Sequence, residues 1–346
     1  MKERINWIDW GKALAVITVV FCHLPQSQEW FYYRYLQTCI ISIFFFLSGY
    51  LKKDRGDKEN WKKYWHGLIL PYIIYNILVY PYWFIKFYMQ NGIPDFFSAM
   101  RPIIGAILFE HENAFCEPLN GPLWYLPAIL FMHILIDLCR KTRFRHLFML
   151  TLCLLFFLLY AANKIWEFMP NLTPIGILSR LPFYYIGYIM GQKKQFRSIN
   201  VKRDLIIGLS LLLLSVGLFQ WHLQLFYSGD MSHLLSPDFL LHIALFLPIN
   251  ICFFFGILCL CKTVDKIYSG IIVNLSIGTL VIIGLHIVLI TLTNFTLERI
   301  FDIHEVICYK WFEALPVAII ITAILYPIIL IGKKEMPILL GRRNYK

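Results

Sequence analysis

Residues 7–24 read WIDWGKALAVITVVFCHL, an apolar run long enough to cross a bilayer that nevertheless carries Asp9, Lys12 and His23. A spanning helix takes about 20 mostly apolar residues, and an ionisable group inside one costs at least ~2.5 kcal/mol, so such groups point to function by default. Lys12 and His23 are eleven positions apart; at ~100° per residue both project from one face, with Asp9 a turn before Lys12 on it. The same spacing separates Lys12 from His23 by ~16 Å along the axis. The face is a polar track, charged at one end and imidazole at the other. Singly, each residue has a bland reading: an interfacial Asp–Lys pair, or a core histidine bonded to a neighbouring helix. That reading accounts poorly for three on one face.

The whole chain is built in the same manner. Of its 346 residues 59% are hydrophobic, 17% aromatic and only 15% charged, against about 25% charged in a soluble domain. This is the composition of an all-α, polytopic integral membrane protein whose partner is the lipid bilayer. The net charge of +11 is therefore expected to report topology, and no nucleic-acid partner is expected. Nine cysteines show no metal-type spacing, and no metal is expected. Most read as small apolar helix residues. Cys116 and Cys308 fall in loops placed outside, where a disulfide and two free thiols both stand open. The first apolar segment lacks a small-residue cleavage site and is read as retained.

Ten spanning segments are predicted, at 7–24, 35–51, 66–88, 123–139, 146–162, 174–191, 204–220, 239–261, 272–296 and 311–332. Basic residues precede the first and follow every even-numbered one: Lys52 to Lys63 after the second, Arg140 to Arg145 after the fourth, and so on to Lys333 and Lys334 after the tenth. The intervening loops are poor in Lys and Arg and hold Glu110, Glu112, Glu117, Asp230 and Asp302. By the positive-inside rule both termini are cytoplasmic and the first helix runs outward. No internal repeat or soluble domain is evident, so residues 1–346 are read as a single transmembrane domain. The apolar run 103–109, in the longest outer loop, is expected to be re-entrant or interfacial.

Orientation allows depths to be compared. Counting ~1.5 Å per residue, His23, His286 and Arg180 all fall toward the outer side, where Trp124 and Tyr125 open the fourth span. Asp9, Lys12, the Ser48–Gly49 pair, Lys62 and Lys63 stand at the cytoplasmic level, as an anion site. His66, His133, His222, His233 and His242 share no evident face and are read as interfacial or loop residues.

These stretches resemble, in order, the acyltransferase-3 family of membrane acyltransferases. The run from Ile8 to His23 is similar to that family's opening helix, in which an Arg or Lys precedes a His by eleven positions. FFFLSGY at 44–50, the basic stretch from Lys63 to Pro71, GPLWYL at 121–126, RLPFYYIGYIMG at 180–191 and LSIGTLVIIGLH at 275–286 resemble its later motifs. The first helix is most like the branch that acetylates sugars of surface or secreted glycans.

The resemblance implies transfer of an acyl group, usually acetyl, from cytoplasmic acetyl-CoA to a glycan hydroxyl across the membrane, in the inner membrane of a bacterial cell. Lys12, Ser48, Lys62 and Lys63 would then bind the donor. His23 would act as general base or acyl acceptor, with Asp9, Arg180 and His286 as further catalytic candidates; Trp124 and Tyr125 would bind the acceptor. The basic residue is Lys12 where Arg is commoner, and no further domain follows the tenth span, which leaves the acceptor open. The rival reading is a transporter or flippase for a glycan or small anion, which would also place charges inside a helical bundle. The absent repeat and the order of the motifs speak against it.

Overall fold

A computed structural model describes residues 4–54, 56–109, 115–166, 179–196, 198–230, 236–302 and 307–342, with side chains omitted at 163–166. Thirteen α-helices occur among them: α1 (Asn6–His23), α2 (Phe31–Leu51), α3 (Asp57–Tyr64), α4 (Leu70–Asn91), α5 (Phe96–Ile107), α6 (Tyr125–Cys139), α7 (Arg145–Trp166), α8 (Leu181–Gln192), α9 (Val201–Ser228), α10 (Pro237–Thr263), α11 (Gly270–Ile277), α12 (Thr279–Ile300) and α13 (Trp311–Lys334). One wide turn, Trp65–Ile69, joins α3 to α4, and a tight turn, Gly121–Trp124, opens α6. Eight helices among the described residues are long and apolar enough to cross a membrane. Their outer faces carry large apolar side chains, such as Leu213 at 74% exposure and Ile206 at 65%, an arrangement that only a bilayer makes stable. The chain is an all-α, multi-pass membrane protein.

The first helix lies at the centre, packed against α2, α10, α11, α12 and α13. A helix end leaves backbone groups without partners, and the bilayer supplies none. Both ends of α1 are closed by residues outside it, those at the start distant in sequence and those at the finish close by. At the start, Asp265 Oδ1 accepts from the Trp7 N–H at 2.7 Å, and Trp10 Nε1 donates to the Ile267 carbonyl at 3.1 Å. At the finish, Gln26 Nε2 donates to the Phe21 carbonyl at 2.7 Å and the Tyr33 hydroxyl to that of Cys22 at 3.1 Å. This buried helix can therefore carry a polar track without exposing it to lipid.

Two further contacts set the bundle. In α2 and α8, Gly49, Gly187 and Gly191 let the backbones touch: a Cβ on Gly49 would lie 2.0 Å from the Tyr184 carbonyl oxygen, and one on Gly187 2.1 Å from that of Phe46. Small residues at helix crossings are how membrane bundles gain packing in the absence of a hydrophobic drive between helices. Helices α9 and α10 form a long antiparallel pair in which the Ser215 hydroxyl donates to the Ile249 carbonyl at 2.8 Å and Lys262 pairs with Asp204 at 3.2 Å.

The expected 272–296 span is corrected: it is two helices, α11 and α12, meeting at Gly278. Glycine costs a helix interior about 1 kcal/mol, and here a Cβ would meet Ile329 of α13 at 2.3 Å. Of the span expected at 174–191, residues 181–192 form α8, while Pro174 and its neighbours lie outside the described residues. Glu110, Glu112 and His233 also lie outside them. The 103–109 run ends a short amphipathic helix, α5, whose Asp95 caps it by accepting from the Ser98 N–H at 2.7 Å. Cys308 is an exposed free thiol, and Cys116 is buried.

Candidate active site

Polar residues of α1 reach two separate levels. At the end bearing the basic segments, a cavity of about 1040 Å³ is lined by Arg4, Asp9, Lys12, Lys52, Lys53, Lys194 and Arg342, among others. Its acids are already engaged. Asp9 takes a two-pronged bond from Arg4, with Nε to Oδ2 at 2.5 Å and Nη2 to Oδ1 at 2.9 Å, and a third from the Ser276 hydroxyl at 2.6 Å. Asp265 caps α1, and Asp54 accepts from the Tyr188 hydroxyl at 3.1 Å. The lining therefore carries an excess of positive charge. Burial, and then the like charge of Arg4, holds the Arg342 guanidinium below its ordinary pKa, with Asp9 acting in the opposite sense. A bound anion would relieve that repulsion.

Lys12 also lines a second, deeper cavity of about 250 Å³, together with Ser48, Lys63, Tyr125, His133 and Ser276. The two cavities share the walls Lys12, Leu51, Ser276, Ile277 and Leu340. Among the described residues Lys12 has no hydrogen-bond or ion-pair partner; Asp9, its nearest acid, is occupied by Arg4 and Ser276. The Ser48 and Tyr125 hydroxyls stand 2.8 Å apart.

About 16 Å further along α1 by helix rise, His23 meets His286 of α12, with ring centroids 4.8 Å apart and planes at 74°. His23 Nδ1 donates to the Val19 carbonyl at 2.7 Å, and His286 Nδ1 to that of Ile282 at 2.8 Å. A ring nitrogen facing a carbonyl carries the proton, so in each neutral imidazole Nε2 holds the lone pair. His286 is fully buried, and its Nε2 has no hydrogen-bond partner among the described residues. His23, by contrast, is exposed. The GPLW turn sits beside this pair, with Asn120 Nδ2 donating to the Gly284 carbonyl, two residues before His286, at 2.7 Å.

The structure thus joins His23 to His286, and Lys12 to Asp9, Ser48 and Lys63. Three placements differ from the sequence expectation. Tyr125 belongs to the inner cavity with Ser48, while Trp124, which shares the Phe45 ring with it, is not among that cavity's described lining residues; adjacent helical residues point ~100° apart. Arg180 lines a third cavity and makes no hydrogen bond or ring contact with either histidine. Lys62 is exposed and lines neither of the first two cavities; its carbonyl accepts from His66 Nδ1 at 2.8 Å. Asp9 stands at the Lys12 level, remote from His23.

Sequence reasoning missed Ser276, Asn120 and Asp265, and it assigned Arg4 and Lys52 to topology alone. Lys52 is in fact buried, donating to Asp137 and to the Tyr64 hydroxyl, both at 2.7 Å. His133, taken for an interfacial residue, is a buried wall of the inner cavity bonded to the Tyr184 hydroxyl. Ser276 lies within a motif that was read; a hydroxyl in an apolar run was its only signal.

Fold and cavities together define a multi-pass membrane protein whose first helix carries polar residues at two levels. The model of the acyltransferase-3 family, described as an acyltransferase domain, matches residues 5–332, and the chain belongs to that family. Comparison with curated proteins and with solved structures yields no match. Among the described residues no group of three or more His, Cys, Asp or Glu is placed to hold a metal ion.

Proposed function

We propose that this protein is an O-acetyltransferase that moves acetyl from cytoplasmic acetyl-CoA to a hydroxyl of a surface or secreted glycan, or of its lipid-linked precursor. The observation that carries the proposal is the single helix α1, which offers Lys12 to a basic cavity and, ~16 Å on, His23 to a buried partner histidine. Acetyl-CoA pairs a phosphate-rich head with a long arm ending in the thioester. The basic cavity fits such a head in charge and size, since ligand pockets run to ~1,000 Å³. Lys12 and Lys63 would contact its phosphates as point charges, with Arg4 and Arg342 contributing to the field. Asp9 holds Arg4 and Ser276 in place.

At the other level His23 acts as general base. Its Nε2 takes the proton of the acceptor hydroxyl as the oxygen bonds to the thioester carbonyl carbon. The carbon–sulfur bond breaks, and His23 returns the proton to the departing sulfur. The products are the acetyl ester and the free thiol. His286, packed edge to face against the His23 ring, holds its orientation, and Trp124 offers an aromatic face to a sugar. On this reading the chain is one domain, 1–346, of ten spans with both termini cytoplasmic, and the distribution of Lys and Arg supports a cavity on the donor's side of a bacterial inner membrane with the histidines toward the acceptor.

Purified protein given radiolabelled acetyl-CoA and a glycan acceptor should release free coenzyme A and label the acceptor. Export of unmodified glycan by the protein in vesicles, with no acetyl release, would instead establish the transporter.

A further inference from the structure

The third cavity, of about 490 Å³, lies between α2, the start of α8, α9 and α10, and α7 completes its wall. None of its described lining residues comes from α1 or α12, so it is separate from the histidine pair, and none is Asp or Glu. Its charged groups are Arg34 and Arg180, facing His222 and His242, which stack at 3.8 Å with Nδ1 of each set against the other's carbonyl. The rest is largely aromatic and includes five phenylalanines, one of which, Phe246, lies 5.6 Å beneath the Arg180 guanidinium.

Two observations point to a ligand. Arg180 Nη1 is buried with no hydrogen-bond partner among the described residues. A buried guanidinium N–H with nothing to donate to is destabilising unless an acceptor fills the place, and no carboxylate among the described lining residues does so. The second concerns the rim. Phe226, a lining residue, is 52% exposed on α9, the helix whose other exposed residues, such as Leu213 and Leu214, face lipid. The cavity therefore opens near the Ser228 end of α9, at the edge of its lipid-facing surface. A ligand that enters there and satisfies Arg180 has an anionic head and an apolar tail.

We propose that this cavity binds the phosphate of a lipid phosphate ester, with Arg180 and Arg34 on the phosphate and the phenylalanine-lined rim on its chain. The planar guanidinium matches phosphate oxygens two at a time, and the aromatic lining suits a hydrocarbon chain leaving through the rim. The site does not depend on acyl transfer.

The test is saturation binding of tritiated farnesyl phosphate to the full chain purified in detergent, without acetyl-CoA. Saturable binding is expected, with farnesol and inorganic phosphate each competing at least tenfold more weakly than unlabelled farnesyl phosphate. Arg180→Gln should weaken binding tenfold or more, the scale of one charge-assisted hydrogen bond. Arg180→Lys should retain part of the affinity. Arg34→Gln, at the rim, should weaken binding severalfold and serves if the Arg180 variants elute as aggregates on size exclusion. Equal competition by dioleoylphosphatidic acid assigns the site to bilayer phospholipid, and weaker competition to a single-chain carrier lipid. No saturable binding, unchanged affinity in the arginine variants, or farnesol competing as well as its phosphate overturns the proposal.

Discussion

His23 and His286 stand edge to face, ring centroids 4.8 Å apart, each with Nδ1 tied to a carbonyl of its own helix. Both rings are thus held by backbone that is itself fixed by packing, and both offer Nε2. Two imidazoles set in this way form a rigid basic site that needs no side-chain carboxylate to orient it.

Replacing His23 by alanine should abolish acetyl transfer while leaving coenzyme A binding intact, because the basic cavity lies ~16 Å away along α1. Loss of a general base costs about 10²- to 10⁴-fold. Transfer and coenzyme A binding measured on one preparation check this; near wild-type transfer in a folded His23→Ala protein would remove the proposed chemistry.

His286→Asn should lower kcat about tenfold or more with little change in KM, since His286 supports the base without meeting the donor head. The His286→Ala protein should behave alike if orientation is what is lost. A change confined to KM for acetyl-CoA would place His286 in donor binding instead.

Lys12→Ala should raise the apparent KM for acetyl-CoA, and Lys12→Arg should retain most activity, since either cation serves a phosphate as a charge. Unaltered donor dependence in a well-expressed Lys12→Ala protein would leave Lys12 a structural residue.

Gly49→Val should destabilise the bundle strongly, because even a Cβ there falls 2.0 Å from the Tyr184 carbonyl oxygen. Overpacking typically costs about 1–3 kcal/mol, and backbone against backbone has little room to relax. Thermal unfolding in detergent should show a lower midpoint or no folded protein. Gly56→Val, where nothing lies within 4 Å, is the control.

Reporter fusions should place residues 52–65 and both termini in the cytoplasm, as the distribution of Lys and Arg dictates. An external signal from that loop would invert the donor and acceptor sides.

Depth was the part of the site most legible in the sequence. Helix rise alone set His23 level with His286 and Lys12 level with Ser48, because a straight helix converts position number into height. Azimuth and neighbourhood were not legible. Arg180 has a suitable height by the same count yet faces away into another cavity, and Tyr125 turns to Ser48 while Trp124 does not. Which helix stands beside which is decided by contacts such as Gly49 on Tyr184, and no local pattern announces its partner. The break at Gly278 was hidden for a similar reason: Ile329, whose side chain fills that space, is 51 positions away.

The cap that Asp265 supplies to α1 bears on how the chain is made. The first helix leaves the ribosome early, but Asp265, Ser276 and the packing faces of α10 to α13 arrive roughly 240 residues or more later. At about 5–20 residues per second that interval is on the order of 10–50 s. Until then, of the hydrogen-bond partners that Asp9 has among the described residues, only Arg4, five residues before it, is already present. A nascent chain lacking Arg4 would hold the Asp9 carboxylate without that two-pronged bond throughout the wait, a cost to an ionised group at membrane depth.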